Sequence, residues 1–287
     1  MRSQSRGRKD SMSLTLKELT KRDDFNAQYR QGQLPVVQAV ERAVCGCDYG
    51  GTSWATRDEA GQIAAALELA PGVGLLEIGA GSGWPALHLA GQSGCDVTLT
   101  DLPLEGIRIA AGRAARDRIA GTCLAVVADA AHLPFRDHCF DVINHSDVLC
   151  CLVQKREVLA ECRRVVRQEG ERAGRMAFSV IYIAPGLSAA DHVRAVETAP
   201  EFTESDADYP TLLADTGWAI RQRHDLTAEF RANCIRKLHA EEGLRTELEP
   251  LTDAADFDAR QARMRRRIAV LEQRHLRREL FIVEPAG

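Results

Sequence analysis

Gly79, Gly81 and Gly83 alternate along a short turn that follows the apolar run Leu75-Leu76-Glu77-Ile78. Glycines at this spacing let backbone approach a ligand more closely than any side chain would allow. Two carboxylates accompany the turn. Asp101 closes the run Cys95-Asp96-Val97-Thr98-Leu99-Thr100, and Asp129 closes Leu124-Ala125-Val126-Val127-Ala128. A carboxylate can accept hydrogen bonds from two vicinal hydroxyls at once, or from an exocyclic amine. Acids at the tips of consecutive strands beside a glycine turn describe a nucleoside-binding crevice in an open α/β sheet.

Such a crevice requires strands and helices in alternation. Val37, Val40 and Val44 predict a helix over 34–45 with Pro35 in its first turn. Thr56-Arg57-Asp58-Glu59 has the form of a capping box, and Ile63, Ala66, Leu67 and Ala70 mark the face of the helix it opens. Pro71-Gly72 ends that helix. A further helix is predicted over 104–119 with Ile107, Ala111, Ala114, Ala115 and Ile119 inward, and strands follow at 140–144 and 176–183. The expected fold is a doubly wound, mostly parallel seven-stranded Rossmann-like sheet with helices on both faces and a small helical cap. Residues 1–12 read as a disordered tail, with Met12 as an alternative start. Residues 13–55 read as a helical segment and lid loop, and 56–287 as the main domain. That domain carries a cap insertion near 185–210 and a helical insertion near 228–275.

The chain has 287 residues, of which 45% are hydrophobic and 27% charged, and its net charge is −4. This balance suits a globular enzyme and opposes general nucleic-acid binding. No apolar run approaches the ~18–20 residues of a membrane span. Nine cysteines without a secretion signal predict free thiols and a cytoplasmic location. Cys45-Gly46-Cys47 has no C-x-x-C or H-x-x-x-H partner, so no metal site is expected.

The glycine spacing then divides two cofactor classes. A dinucleotide fingerprint needs G-x-G-x-x-G, but Trp84 stands where its third glycine would fall. Glu77-x-Gly79-x-Gly81-x-Gly83 instead resembles motif I of the class I S-adenosylmethionine-dependent methyltransferases. The resemblance extends over Thr56 to Ile183 and the last two strands, and includes Leu133-Pro134-Phe135 and Phe140-Asp141-Val142-Ile143. It implies S-adenosyl-L-methionine as cofactor. Gly79, Ala80, Gly81 and Gly83 would form its backbone cradle. Glu77 would hold the loop or reach the amino group through water, and Asp101 would accept the ribose hydroxyls. Leu102 would pack on the adenine and Asp129 would accept its amine, with Ala130 adding backbone contact. Asn144 and His145 would flank the methionine portion. The chain departs from the resemblance at 168–175, where a longer segment replaces the usual glycine turn.

Methyl transfer from a sulfonium needs mainly orientation and electrostatics, plus a base where the acceptor must lose a proton. His145 is the first candidate for that base and Asp147 the second. Tyr49, Trp54 and His145 are expected to wall the acceptor. No Asn/Asp-Pro-Pro-Tyr follows the fourth strand, which disfavours planar amines of DNA bases or glutamine. Arg260, Arg263, Arg265, Arg266 and Arg267 form a basic cluster, but Met264, Ile268 and Leu271 mark an apolar stripe through it. A docked surface helix with solvated arginines explains that pattern without RNA. The expected activity is methyl transfer to the oxygen or nitrogen of a small molecule. A non-catalytic cofactor-binding protein, a nucleic-acid methyltransferase and, last, a nicotinamide dehydrogenase are the alternatives. The sequence carries no signal for the oligomeric state.

Overall fold

The computed structural model describes residues 15–168 and 174–287. The tail expected at 1–12 and residues 169–173 of the lengthened loop lie outside them. The strands are β1 (Gly74–Ile78), β2 (Asp96–Asp101), β3 (Cys123–Val127), β4 (Val142–Ser146), β5 (Arg175–Ile183), β6 (Trp218–Asp225) and β7 (Leu276–Pro285), in the spatial order 3-2-1-4-5-7-6. β1 to β5 run parallel. β7 is antiparallel to both its neighbours, β5 and β6. The order reverses at β1, so the crevice opens between the C-terminal ends of β1 and β4, where an open α/β sheet takes its ligands.

The helices are α1 (Leu16–Gly32), α2 (Pro35–Cys45), α3 (Arg57–Ala66), α4 (Ala86–Ser93), α5 (Leu104–Asp117), α6 (Lys155–Val165), α7 (Ala189–Thr198), α8 (Tyr209–Asp215), α9 (Thr227–Gly243), α10 (Arg245–Leu248) and α11 (Ala254–Glu272). Side chains of β1 alternate between two cores, Leu75 entering one and Leu76 and Ile78 the other. Burial of both sheet faces explains why β1 reads as a continuous apolar run. β3 differs. It is the outer edge of the sheet, and Leu124 and Val127 remain exposed there.

Two local expectations need correction. In α5 the buried positions are Ile107, Ala110 and Ala114, while Ala111 and Ala115 face solvent, because α5 turns its i, i+3, i+7 stripe to the sheet. At α3, Thr56 Oγ1 accepts from the Glu59 N–H at 3.2 Å, yet the Glu59 carboxylate does not return the bond. It is bound by Arg278 instead. Among the described residues no helix is long and apolar enough to cross a membrane.

Candidate active site

The β1–α4 turn forms one wall of a cavity of about 290 Å³. Gly79 and Gly81 both adopt left-handed backbone, with φ of 67° and 50°. A Cβ on Gly79 would lie 2.4 Å from Val148, and one on Gly81 would lie 3.0 Å from the Tyr29 ring. The spacing therefore reflects both backbone conformation and close approach. Asp101 Oδ2 accepts the Gly81 N–H at 2.7 Å, and Oδ1 accepts its neighbour Leu102 N–H at 2.8 Å. The Tyr29 hydroxyl on α1 reaches the same Oδ2 at 3.4 Å. Burial pushes the Asp101 carboxyl up to about 6 despite these donors, and the same burial raises Tyr29.

Asp129 caps its own loop, with Oδ1 accepting from Ala131 N–H at 2.9 Å and Oδ2 3.3 Å from His132 Nδ1. Gly79, Ala80, Gly81, Asp101, Leu102, Asp129, Ala130, Asp147 and Trp54 all line the cavity. Glu77, Gly83, Asn144, His145 and Tyr49 do not.

Each of these five has another place. Glu77 and Asn144 are register partners on β1 and β4, and Asn144 Nδ2 donates to Glu77 Oε2 at 2.8 Å below the cavity floor. Burial pushes Glu77 up to about 8, against the opposing effect of the Asn144 bond. Gly83, with φ of 106°, sets the turn into α4. Tyr49 packs against Trp84 at 5.4 Å and lies under the Arg113 guanidinium at 3.7 Å, inside the core rather than on the pocket wall.

His145 overturns its expected role as base. Its ring stacks on Phe178 at 4.8 Å, it has no solvent exposure, and neither ring nitrogen has a hydrogen-bond partner. Burial lowers its pKa to about 3. The alternation of β4 explains this placement: residue 145 enters the core while Ser146 reaches the cavity.

Asp147 does reach the cavity, in left-handed backbone with φ of 57°, but its carboxylate is held. Arg278 Nε on β7 donates to Oδ1 and Oδ2 at 2.9 and 3.0 Å. The same guanidinium donates to Glu59 at 2.7 and 2.8 Å and to Ser179 Oγ at 2.9 Å. Burial alone disfavours a charged Arg278, but Asp147 and Glu59 outweigh it and hold its pKa above the ordinary arginine value. One fully buried cation thus joins α3, β5, β7 and the tip of β4. In the sequence, Arg278 is marked only as a charge beside an apolar run.

Three segments close the cavity: α1, the loop 51–54, and residues 200–202 after α7. Lys17 and Lys21 of α1 reach Glu201 at 3.4 and 3.7 Å, tying the first segment to the third. α1 is the largest part of the site that no motif announced. The basic cluster of α11 is not simply solvated. Arg263 donates to the carbonyls of Glu197 and Ala199, and Arg267 to that of Thr198 at 2.7 Å, so both cap the C-terminus of α7. Arg265 pairs with Glu242.

A doubly wound sheet, a glycine turn beside an acid at the tip of β2, and a cavity over the strand tips make a crevice of the shape that takes a nucleoside cofactor. Residues 76–173, about a third of the chain, match the methyltransferase domain family, and this match together with the relatives and the fold supports a class I S-adenosylmethionine-dependent methyltransferase. It is similar to 27-O-demethylrifamycin SV methyltransferase of Amycolatopsis mediterranei, with 28% identity over 71% of this chain and 75% of that one. Phosphoethanolamine N-methyltransferase 2 of Haemonchus contortus, solved with S-adenosyl-L-methionine, has 14% identity and a TM-score of 0.71 over 92% of this chain and 60% of that one. The [4+2]-cyclase SpnF has 18% identity and a TM-score of 0.69 over 91% of this chain and 96% of that one. These two structures share the fold.

Proposed function

We propose that this chain transfers a methyl group from S-adenosylmethionine to an oxygen or nitrogen of a small organic acceptor. The observation that carries the reading is Asp101, an acid at the tip of β2 fixed by the Gly81 N–H and facing the cavity. The residues present fit the cofactor. A Cβ on Gly79 or Gly81 would fill the cradle. A carboxylate offers about four acceptor positions, and the Tyr29 bond is the longest of those Asp101 accepts. Ribose hydroxyls would replace Tyr29 there. Leu102 and Ala130 would border the adenine and Asp129 would accept its amine. Ser146, Asp147 and Val148 would flank the methionyl end. Glu77, Gly83 and Asn144 would act from beneath by fixing the turn.

When bound, the cofactor supplies an electrophilic methyl carbon. The protein orients the acceptor for in-line attack and excludes water through α1, the loop 51–54 and residues 200–202. The nine cysteines, all free, suit a reducing cytoplasm.

The test is calorimetric titration of S-adenosylhomocysteine into the full chain. We expect binding that Asp101→Ala weakens by ~1–3 kcal/mol, the range for an unpaired hydrogen-bond partner. Equal affinity in the variant would remove the ribose assignment.

A further inference from the structure

A second cavity, of about 500 Å³, lies between α2, α9 and α11. Arg267, Trp54 and the loop 51–54 line both cavities, so they form the seam between this space and the donor site. The walls are apolar at Val40, Val44, Phe257 and Met264, all buried. The carboxylates of this space are already engaged. Glu41 accepts the N–H groups of Gly50 and Gly51 at 2.6 and 3.0 Å. Glu241 pairs with Lys237 and accepts from Gln261 at 2.8 Å. Arg267 is not balanced in this way. Its Nε donates to a backbone carbonyl, its guanidinium lies 6.0 Å from the centre of the Trp54 ring, and among the described residues no carboxylate pairs with it. Gln261 supplies an independent sign of a ligand. It lines the cavity, is 3% exposed, and its Oε1 has no partner.

The donor cavity raises the complementary question of what removes the acceptor's proton. Among the described residues no histidine lines it, each lining carboxylate is engaged, and the Cys150 and Cys151 thiols donate to the Asp147 carbonyl. Asp147 binds Arg278, and Asp101 and Asp129 bind backbone N–H groups. Glu201 binds lysines, and Glu18 caps α1.

We propose that the acceptor is a largely apolar molecule with an acidic oxygen, such as a phenol, enol or carboxylic acid, held as its anion by Arg267 with its body in the second cavity. This rests on the methyl-transfer reading. The acceptor oxygen's electron pair forms the new O–C bond as the sulfonium C–S bond breaks and its pair returns to sulfur. No proton moves in that step, so no base is needed. Gln261 Oε1 would take a hydroxyl or N–H elsewhere on the acceptor. A neutral alcohol would lack both the negative charge and a base to create it.

The test uses decanoate and 1-decanol as probes, titrated into the full chain with S-adenosylhomocysteine present and followed by tryptophan fluorescence. Decanoate is expected to bind at least about tenfold tighter than the alcohol, the scale of a charge-assisted bond. Arg267→Met should abolish that preference, whereas Arg267→Lys should retain it. Val37→Phe, which narrows the second cavity alone, should weaken decanoate by about fivefold or more. Equal binding of the two probes, a preference that survives Arg267→Met in folded protein, or indifference to Val37→Phe would each overturn the proposal. Failure of S-adenosylhomocysteine to bind the wild type would instead remove the methyl-transfer reading, and the probe titrations separate the two failures.

Discussion

Replacing Arg278 by methionine tests whether one buried cation organises the site. Methionine approximates the apolar stem but leaves Glu59 and Asp147 facing each other without their shared donor. The side chains of these acids are 4% and 9% exposed, so water cannot replace the lost bonds. Removing one partner of a buried ion pair costs about 3–5 kcal/mol. Arg278 serves two acids and Ser179, so the upper part of that range is expected. The assay is urea denaturation followed by circular dichroism at pH 7.5. Glu59→Gln in the Arg278→Met background should recover part of the loss. A loss below about 1 kcal/mol, or a double variant no more stable than Arg278→Met, would refute the reasoning.

Glu77 should behave as a neutral acid near pH 7. Its folded pKa of about 8 exceeds the ordinary 4.5, so its contribution to stability declines as pH rises through that window. Glu77→Gln should therefore gain on the wild type between pH 5 and pH 8.5 in urea titrations, and a wild type that gains instead would contradict the placement. Asp101, at about 6, must be ionised to accept both ribose hydroxyls. Affinity for S-adenosylhomocysteine should fall below that pH in the wild type and stay flat in Asp101→Asn, and parallel profiles would exclude the assignment. His145→Phe preserves the stack on Phe178 and removes two unpartnered nitrogens. Turnover should stay close to wild type, whereas a loss of about 10²-fold or more, the scale of a missing general base, would return His145 to the mechanism.

The strand tips were legible because Gly79, Gly81, Asp101 and Asp129 each lie just past an apolar run, and the structure brings all four to one cavity. His145 was misplaced for a related reason. Periodicity located the end of β4, but the side to which each residue points depends on a one-residue register that sequence does not reveal. Tyr49 looked like a loop aromatic, yet a cation at 3.7 Å and Trp84 draw it into the core. α1 falls in the segment read as helical and as part of a lid, but its contacts were not legible because they are tertiary: Tyr29 is its buried aromatic, and its tie to Glu201 spans most of the chain.

The acceptor side draws on the opposite kind of information. Arg278 meets Asp147 across 131 positions and Glu59 across 219, and Arg267 meets the Thr198 carbonyl across 69. No short motif encodes such pairs. SpnF places a ring-closing cyclase on the same fold, so the sheet and its glycine turn do not fix what happens above them. What differs between such proteins must lie in the charges and shapes that the covering segments bring over the strand tips. Here those segments engage every acid they bring to the cavity, while among the described residues no acid pairs with Arg267. A site arranged in that way selects an acceptor by its charge before any bond is made.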